Sequence, residues 1–135
     1  MESLSLIARD YSRFGIRTVS GSVRQMLAQR RSFGEFDFVY AGGLFDYLSY
    51  PVAAALTSRL FEMTRPGGIV LIPNFKPQVA DAGYMEAFMD WRLIYRDHED
   101  MRRLVESLPA HEIEDCQIFD DRDGAMTFLL LGKAA

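Results

Sequence analysis

Hydrophobic positions along this chain change period several times, and the changes divide it into alternating helices and strands. From Ser3 to Arg13, Leu4, Ile7, Ala8 and Tyr11 fall at helical spacing, with Ser3 as a cap and Gly15 just beyond. Ile16-Arg17-Thr18-Val19 is a short β-prone piece, and Ser20-Gly21-Ser22 can cap a helix from Val23 to Gln29. Phe36 to Tyr40 reads as a second strand. Pro51 suits the first turn of a helix to Met63, with Val52, Ala55, Leu56, Leu60 and Met63 on one side.

Arg65-Pro66-Gly67-Gly68 has turn chemistry, and Ile69-Val70-Leu71-Ile72 is the continuous apolar run of a strand covered on both faces. Tyr84 to Tyr95 predicts an aromatic helix, and Asp97 caps another from His98 to Leu108, ended by Pro109. Glu112 to Phe119 and Ala125 to Leu131 predict an antiparallel hairpin turning at Asp120-Asp121-Arg122-Asp123-Gly124.

Alternating strands and helices build a parallel sheet with right-handed crossovers, and such sheets take ligands at the carboxyl ends of their strands. Gly42 and Gly43 follow the strand Phe36 to Tyr40 at such an end. Glycines there either make a tight turn or let a ligand approach the main chain closely. Leu44-Phe45-Asp46-Tyr47-Leu48 then supplies apolar walls and one carboxylate.

Composition narrows the partners. At 135 residues the chain is expected to form one domain, and 49% hydrophobic with 25% charged residues is the balance of a folding sequence. A net charge of −4 argues against nucleic acid, and Arg24, Arg30 and Arg31 read as a solvated helix face. The single cysteine, Cys116, cannot close an internal disulfide; it reads as a buried small residue, and the cytoplasm is the expected location. No stretch approaches the roughly 20 apolar residues of a membrane span. His98 and His111 lie far apart without companions at ligand spacing, so no metal site is expected.

The segments FDFVYAGGLFDYL, LFEMTRPGGIVLIPNF and EDCQIFDDRDGAMTFLLLGK together resemble the fourth strand with its loop, the helix–turn–fifth strand and the last two strands of class I S-adenosylmethionine-dependent methyltransferases. The resemblance covers only the later two-thirds of such a domain, since the family's first strand with its GxGxG loop and its second strand with an acidic end have no counterpart. It implies an α/β, Rossmann-like methyltransferase three-layer sandwich, N-terminally truncated. The sheet expected is mostly parallel, of about five strands, with Ile16 to Val19 beside Phe36 to Tyr40 and a C-terminal antiparallel hairpin. The bared sheet face would be covered by a second copy, so a homodimer is expected.

The same resemblance implies site residues. Gly21, Ser22 and Val23 would lie near the adenine of S-adenosyl-L-methionine, and Ala41, Gly42, Gly43 and Leu44 near its sulfonium end. A narrower likeness, to bacterial enzymes with a Gly-Leu-aromatic-Asp-Tyr loop and a downstream Trp and Tyr-Arg, implies acceptor contacts from Phe45, Tyr47, Asn74, Tyr84 and Trp91. Asp46, Tyr95 and Arg96 would carry the chemistry, Asp46 orienting an acceptor or else capping the helix at Pro51, Arg96 clamping a carboxylate or else pairing with Asp97 or Glu99. Some of those relatives make fatty-acid methyl esters, which implies a small acceptor such as a carboxylate or hydroxylated lipid. Without the glycine-rich loop this chain would hold the cofactor weakly or not at all. The alternative is a non-catalytic remnant serving as a dimerisation or partner-binding module.

Overall fold

A computed structural model describes residues 5, 6, 9, 14–16, 19, 21–28, 34–77 and 93–135. Contacts divide the chain into two units, Met1–Arg31 and Ser32–Ala135. In the first, helix α1 spans Val23–Ala28. Ser22 Oγ accepts from the Gln25 N–H at 3.1 Å and Gln25 Oε1 accepts from the Ser22 N–H at 3.0 Å, a reciprocal cap that satisfies two otherwise orphaned donors. Of the helix expected over residues 3–13, Ser5, Leu6 and Arg9 are helical and the rest lies outside the described residues. Ile16 and Val19 are exposed and in no strand, while Arg17 and Thr18 lie outside the described residues.

The second unit contains β1 (Phe36–Tyr40), α2 (Tyr50–Glu62), β2 (Thr64–Phe75), α3 (His98–Arg103), β3 (Ile113–Asp120) and β4 (Met126–Lys133). Among the described residues they form a four-stranded sheet in the order β1-β2-β4-β3. The β1–β2 pair is parallel, with α2 as its crossover, whereas β2–β4 and β4–β3 are antiparallel. The expected mostly parallel sheet of five strands is thus, in the described part, a mixed sheet of four. Its closing hairpin inserts β4 against β2 and turns two of three pairings antiparallel.

Strand β2 begins earlier than its apolar run. Phe36 pairs with Thr64 and Phe38 with Ile69, so the Arg65-Pro66-Gly67-Gly68 stretch is taken up as a bulge within β2 rather than as a turn before it. Gly67 has φ 85. A Cβ on Gly68 would stand 2.8 Å from the Asp37 carbonyl oxygen and from Thr64 Cγ2, so only glycine fits between the strands there. Arg65 closes the bulge with an ion pair to Asp37 at 2.8 Å.

One sheet face makes the core. Val70 and Ile72 of β2 and Leu129 and Leu131 of β4 are fully buried, as are Leu56 of α2, Met101 of α3 and Leu104 or nearly so. Helix α2 buries Ala53, Leu56, Thr57, Leu60 and Phe61, so of the face expected from its sequence Leu56 and Leu60 are buried, while Ala55 is exposed and Val52 and Met63 are half-buried. Each buried Leu or Ile contributes about 1.5–3 kcal/mol of transfer free energy. Helix α3 opens on a capping box between Asp97 and Asp100. It ends at Arg103, short of the expected Leu108, because Leu104, Val105 and Leu108 donate to carbonyls three residues back in tighter turns.

Two expectations need correction. Leu93, Ile94 and Tyr95, the described end of the aromatic helix predicted over 84–95, are not helical, because the Ile94 and Arg96 amides donate to Asp46 and Phe75 carbonyls instead. Cys116 is exposed, on β3, an edge strand of the described sheet that buries none of its residues. No described helix is long and apolar enough to cross a membrane.

Candidate cofactor and acceptor site

Strand β1 leaves the sheet at Tyr40, after which the buried Ala41 donates its N–H to the Leu71 carbonyl at 3.2 Å. Gly42 and Gly43 follow, both exposed. Gly43 has φ 67, and a Cβ built on it would meet nothing within 4 Å: its α-carbon faces open space in a conformation that side chains disfavour. A Cβ on Gly42 would stand 2.7 Å from Tyr40 Cε1, so the phenol ring lies across this glycine. Phe45-Asp46-Tyr47 then makes one 3₁₀ turn that buries Phe45 and Asp46 and leaves Tyr47 at 55% exposure.

The buried members of that turn belong to a polar network. Asp46 Oδ1 accepts from the Phe75 N–H at 2.7 Å, and the Asp46 carbonyl accepts from Ile94 at 2.6 Å. Arg96 forks its guanidinium over three acceptors: Nη1 donates to the Phe45 carbonyl at 2.6 Å and to Asn74 Oδ1 at 2.7 Å, and Nη2 to the Leu48 carbonyl at 2.6 Å. Asn74 Nδ2 donates to the Ile94 carbonyl at 2.9 Å and the Phe75 carbonyl at 3.1 Å. Asp46, Asn74 and Arg96 are 2%, 0% and 3% exposed. The network ties the loop after β1, the end of β2 and residues 93–97 into one block, so the glycine loop sits on a rigid base.

Burial pushes the Asp46 carboxyl up from its ordinary value, opposed by the Phe75 N–H bond, its own backbone and the Arg96 charge. Burial likewise draws the Arg96 guanidinium down, with the Asp46 and Asp100 charges holding it up. The two opposite charges offset each other's desolvation, while Asp46 Oδ1 takes the Phe75 N–H and Arg96 Nη1 and Nη2 donate to backbone carbonyls and Asn74.

No protein-family model and no curated protein sequence matches the chain. Its fold matches solved structures throughout its length. An exported-protein candidate from Bordetella parapertussis superposes over 98% of this chain and 49% of its own, with 18% identity and a TM-score of 0.68. The S-adenosylmethionine-dependent methyltransferase SibL does so over 99% of this chain and 41% of its own, with 15% identity and a TM-score of 0.65. Human N-acetylserotonin methyltransferase, solved with S-adenosylmethionine, covers 87% of this chain and 33% of its own, with 14% identity and a TM-score of 0.61. The fold is that of the class I methyltransferases.

The chain spans between a third and a half of the length of these neighbours. Of the residues named from sequence, Phe45, Asp46, Asn74 and Arg96 come together in the network beneath the Gly42–Gly43 loop. Asp46 does not cap α2, whose N-cap is Ser49, and Arg96 is buried among carbonyls instead of paired with Asp97 or Glu99. Ala41, Gly42, Gly43 and Leu44 run along the top of the loop, Tyr47 is exposed beyond it, and Tyr95 is half-buried next to Arg96. Gly21, Ser22 and Val23 open α1 in the other unit. Tyr84 and Trp91 lie outside the described residues.

Two features escaped the sequence reading. Tyr40 was taken as a strand residue, yet its ring forms a wall of the glycine loop; an aromatic two places before a Gly-Gly pair is the available signal. At the ends of β2 and β3, Asp120 accepts from Lys76 at 2.6 Å and meets His98 Nε2 at 2.7 Å, joining residues 22 and 44 positions away. Those partners hold the Asp120 carboxyl down at about 2.

Proposed function

We propose that this protein transfers a methyl group from S-adenosyl-L-methionine to a small acceptor, a carboxylate or hydroxylated lipid being the class that the resemblance implies. The observation that carries this reading is the exposed Gly42–Gly43 backbone at the carboxyl end of β1, held from below by Asp46, Asn74 and Arg96. A sulfonium cofactor supplies an electrophilic methyl group when bound. What the chain must add is alignment and exclusion of water, because displacement at a sulfonium methyl requires the nucleophile in line at about 3 Å.

In this reading Gly42 and Gly43 offer a side-chain-free surface that fits the cofactor's nucleoside and sulfonium, with the buried Ala41 before them and Tyr40 and Leu44 as apolar walls. Tyr47, exposed beyond the loop, would border the acceptor. Asp46, Asn74 and Arg96 act as positioning residues that fix the loop, and Tyr95 is the remaining candidate for contact with the acceptor.

A second reading is favoured by one observation, the aromatic and exposed outer strand β1. In it the chain is a non-catalytic methyltransferase remnant that self-associates as a homodimer. Calorimetric titration with S-adenosylhomocysteine separates the two. Binding near micromolar that is lost in Gly43→Val supports the cofactor reading, and silence at millimolar concentration overturns it for this chain.

A further inference from the structure

We infer that His98, oriented by Asp120, takes up the proton of the methyl acceptor, and that the acceptor therefore presents a hydroxyl rather than a carboxylate. The inference rests on the methyl-transfer reading and narrows its substrate. Two of the side chains named for chemistry from the sequence are committed elsewhere: Asp46 takes the Phe75 N–H, and Arg96 is spent on two carbonyls and Asn74. His98 is placed differently. Its side chain is 47% exposed, its Nε2 lies 2.7 Å from Asp120 Oδ1, and Lys76 Nζ donates to Asp120 Oδ2 at 2.6 Å.

Asp120 is the last residue of β3, Lys76 the first after β2 and His98 the first of α3, so three separate elements deliver the cluster to the carboxyl edge of the sheet. Held down at about 2, the Asp120 carboxyl is ionised at neutral pH and can only accept. The hydrogen of a neutral imidazole then belongs on Nε2, which leaves the Nδ1 lone pair without a partner among the described residues. His98, Lys76 and Asp120 line a cleft of about 460 Å³ with Asp97, Glu99 and Arg102; there Asp97 caps α3 and Arg102 is paired with Glu99 at 2.6 Å. Phe75 connects this cleft to the glycine loop: its N–H goes to Asp46, its carbonyl takes the Arg96 N–H at 2.9 Å, and Lys76 follows it. In the strand order β1-β2-β4-β3 the end of β2 lies between the loop after β1 and the Asp120 carboxylate at the end of β3. Neighbouring strands stand about 4.8 Å apart, so a hydroxyl placed over that end faces the loop on one side and His98 on the other. The acceptor oxygen forms its bond to the methyl carbon as the carbon–sulfur bond breaks, the bonding pair stays with sulfur, and the hydroxyl proton passes to Nδ1, giving an imidazolium beside the Asp120 carboxylate. A carboxylate acceptor arrives without that proton and has no use for the pair.

The probe is β-hydroxydecanoate, which carries both groups. With the whole chain and S-adenosylmethionine the expected product is the methyl ether, and His98→Gln, which keeps an amide donor for Asp120, should lower kcat by on the order of 100-fold with KM little changed. Imidazole nitrogen spectra of the unsubstituted chain give a readout that needs neither turnover nor a variant. Neutral His98 should carry its hydrogen on Nε2, and with S-adenosylhomocysteine bound the probe should shift the Nδ1 signal while decanoate, which lacks the hydroxyl, should not. A methyl ester as product, an ether yield that His98→Gln leaves intact, a hydrogen on Nδ1, or an Nδ1 signal that the probe leaves unmoved overturns the role of His98 and leaves methyl transfer standing. Failure of S-adenosylhomocysteine to bind at millimolar concentration overturns the methyl-transfer reading itself, and this inference with it.

Discussion

Arg96 Nη1 donates to Asn74 Oδ1 at 2.7 Å, joining two residues 22 positions apart that are both almost wholly buried. Through that bond the guanidinium reaches the end of β2, and through its other branches it reaches the carbonyls of Phe45 and Leu48. Arg96→Ala would leave three acceptors and the Asp46 charge without their cation. The expected cost is about 3–5 kcal/mol, a large share of a domain's stability, read as a lowered urea midpoint. Arg96→Lys should recover only part of it, because an ammonium cannot span the same fork.

Asp46 and its amide analogue should separate charge from hydrogen bonding. Asp46→Asn keeps an oxygen for the Phe75 N–H, whereas Asp46→Ala orphans that donor and should cost about 1–3 kcal/mol more. The pH dependence carries a sign. The native carboxyl is raised above 3.8, so in the window just above that value the folded state holds a proton that the unfolded chain releases. Its contribution is therefore full below 3.8 and lost as pH rises through the native value; Asp46→Asn should lack this slope.

Asp120 runs the other way. Its native carboxyl is held at about 2 against an ordinary 3.8, first by Lys76 and then by His98. The stabilisation it gives is full above 3.8 and disappears as pH falls through about 2. A carboxyl-carbon titration should place the Asp120 midpoint near 2, and Asp120→Asn should flatten this part of the acid-unfolding profile. A midpoint near the ordinary value would mean that the Lys76 and His98 contacts do not persist in solution.

Two glycines should answer differently to alanine. At Gly42 the new methyl meets only the rim of the exposed Tyr40 ring, which can swing aside, so stability should change by no more than about 0.5 kcal/mol. At Gly68 it meets the Asp37 carbonyl and Thr64 inside the bulge, and overpacking of that kind costs roughly 1–3 kcal/mol. Thermal unfolding of the pair checks the contrast.

Much of the second unit was legible because it rests on local chemistry. The helix from Pro51, the Asp97 cap, the apolar run at Ile69 and the hairpin around Gly124 each follow from side-chain period or turn residues within a few positions. The end of the strand at Tyr40 and the turn away at Gly42 and Gly43 were readable for the same reason. The site was legible only as a set of names: Asp46, Asn74 and Arg96 were singled out, yet nothing local said that their side chains would bond to the backbone of Phe45, Leu48, Phe75 and Ile94 and, between Arg96 and Asn74, to each other.

By itself, then, the sequence determined which segments could be helix or strand and where the chain had to turn, since those choices are made by propensity and periodicity over one or two turns of backbone. Only the tertiary structure decided that the Arg-Pro-Gly-Gly stretch would bulge within a strand, that Ile94 and Arg96 would spend their amides on Asp46 and Phe75, and that Cys116 would stand at an edge. Each of these depends on partners brought from far along the chain, and a buried polar group is satisfied by whichever partner the packing delivers.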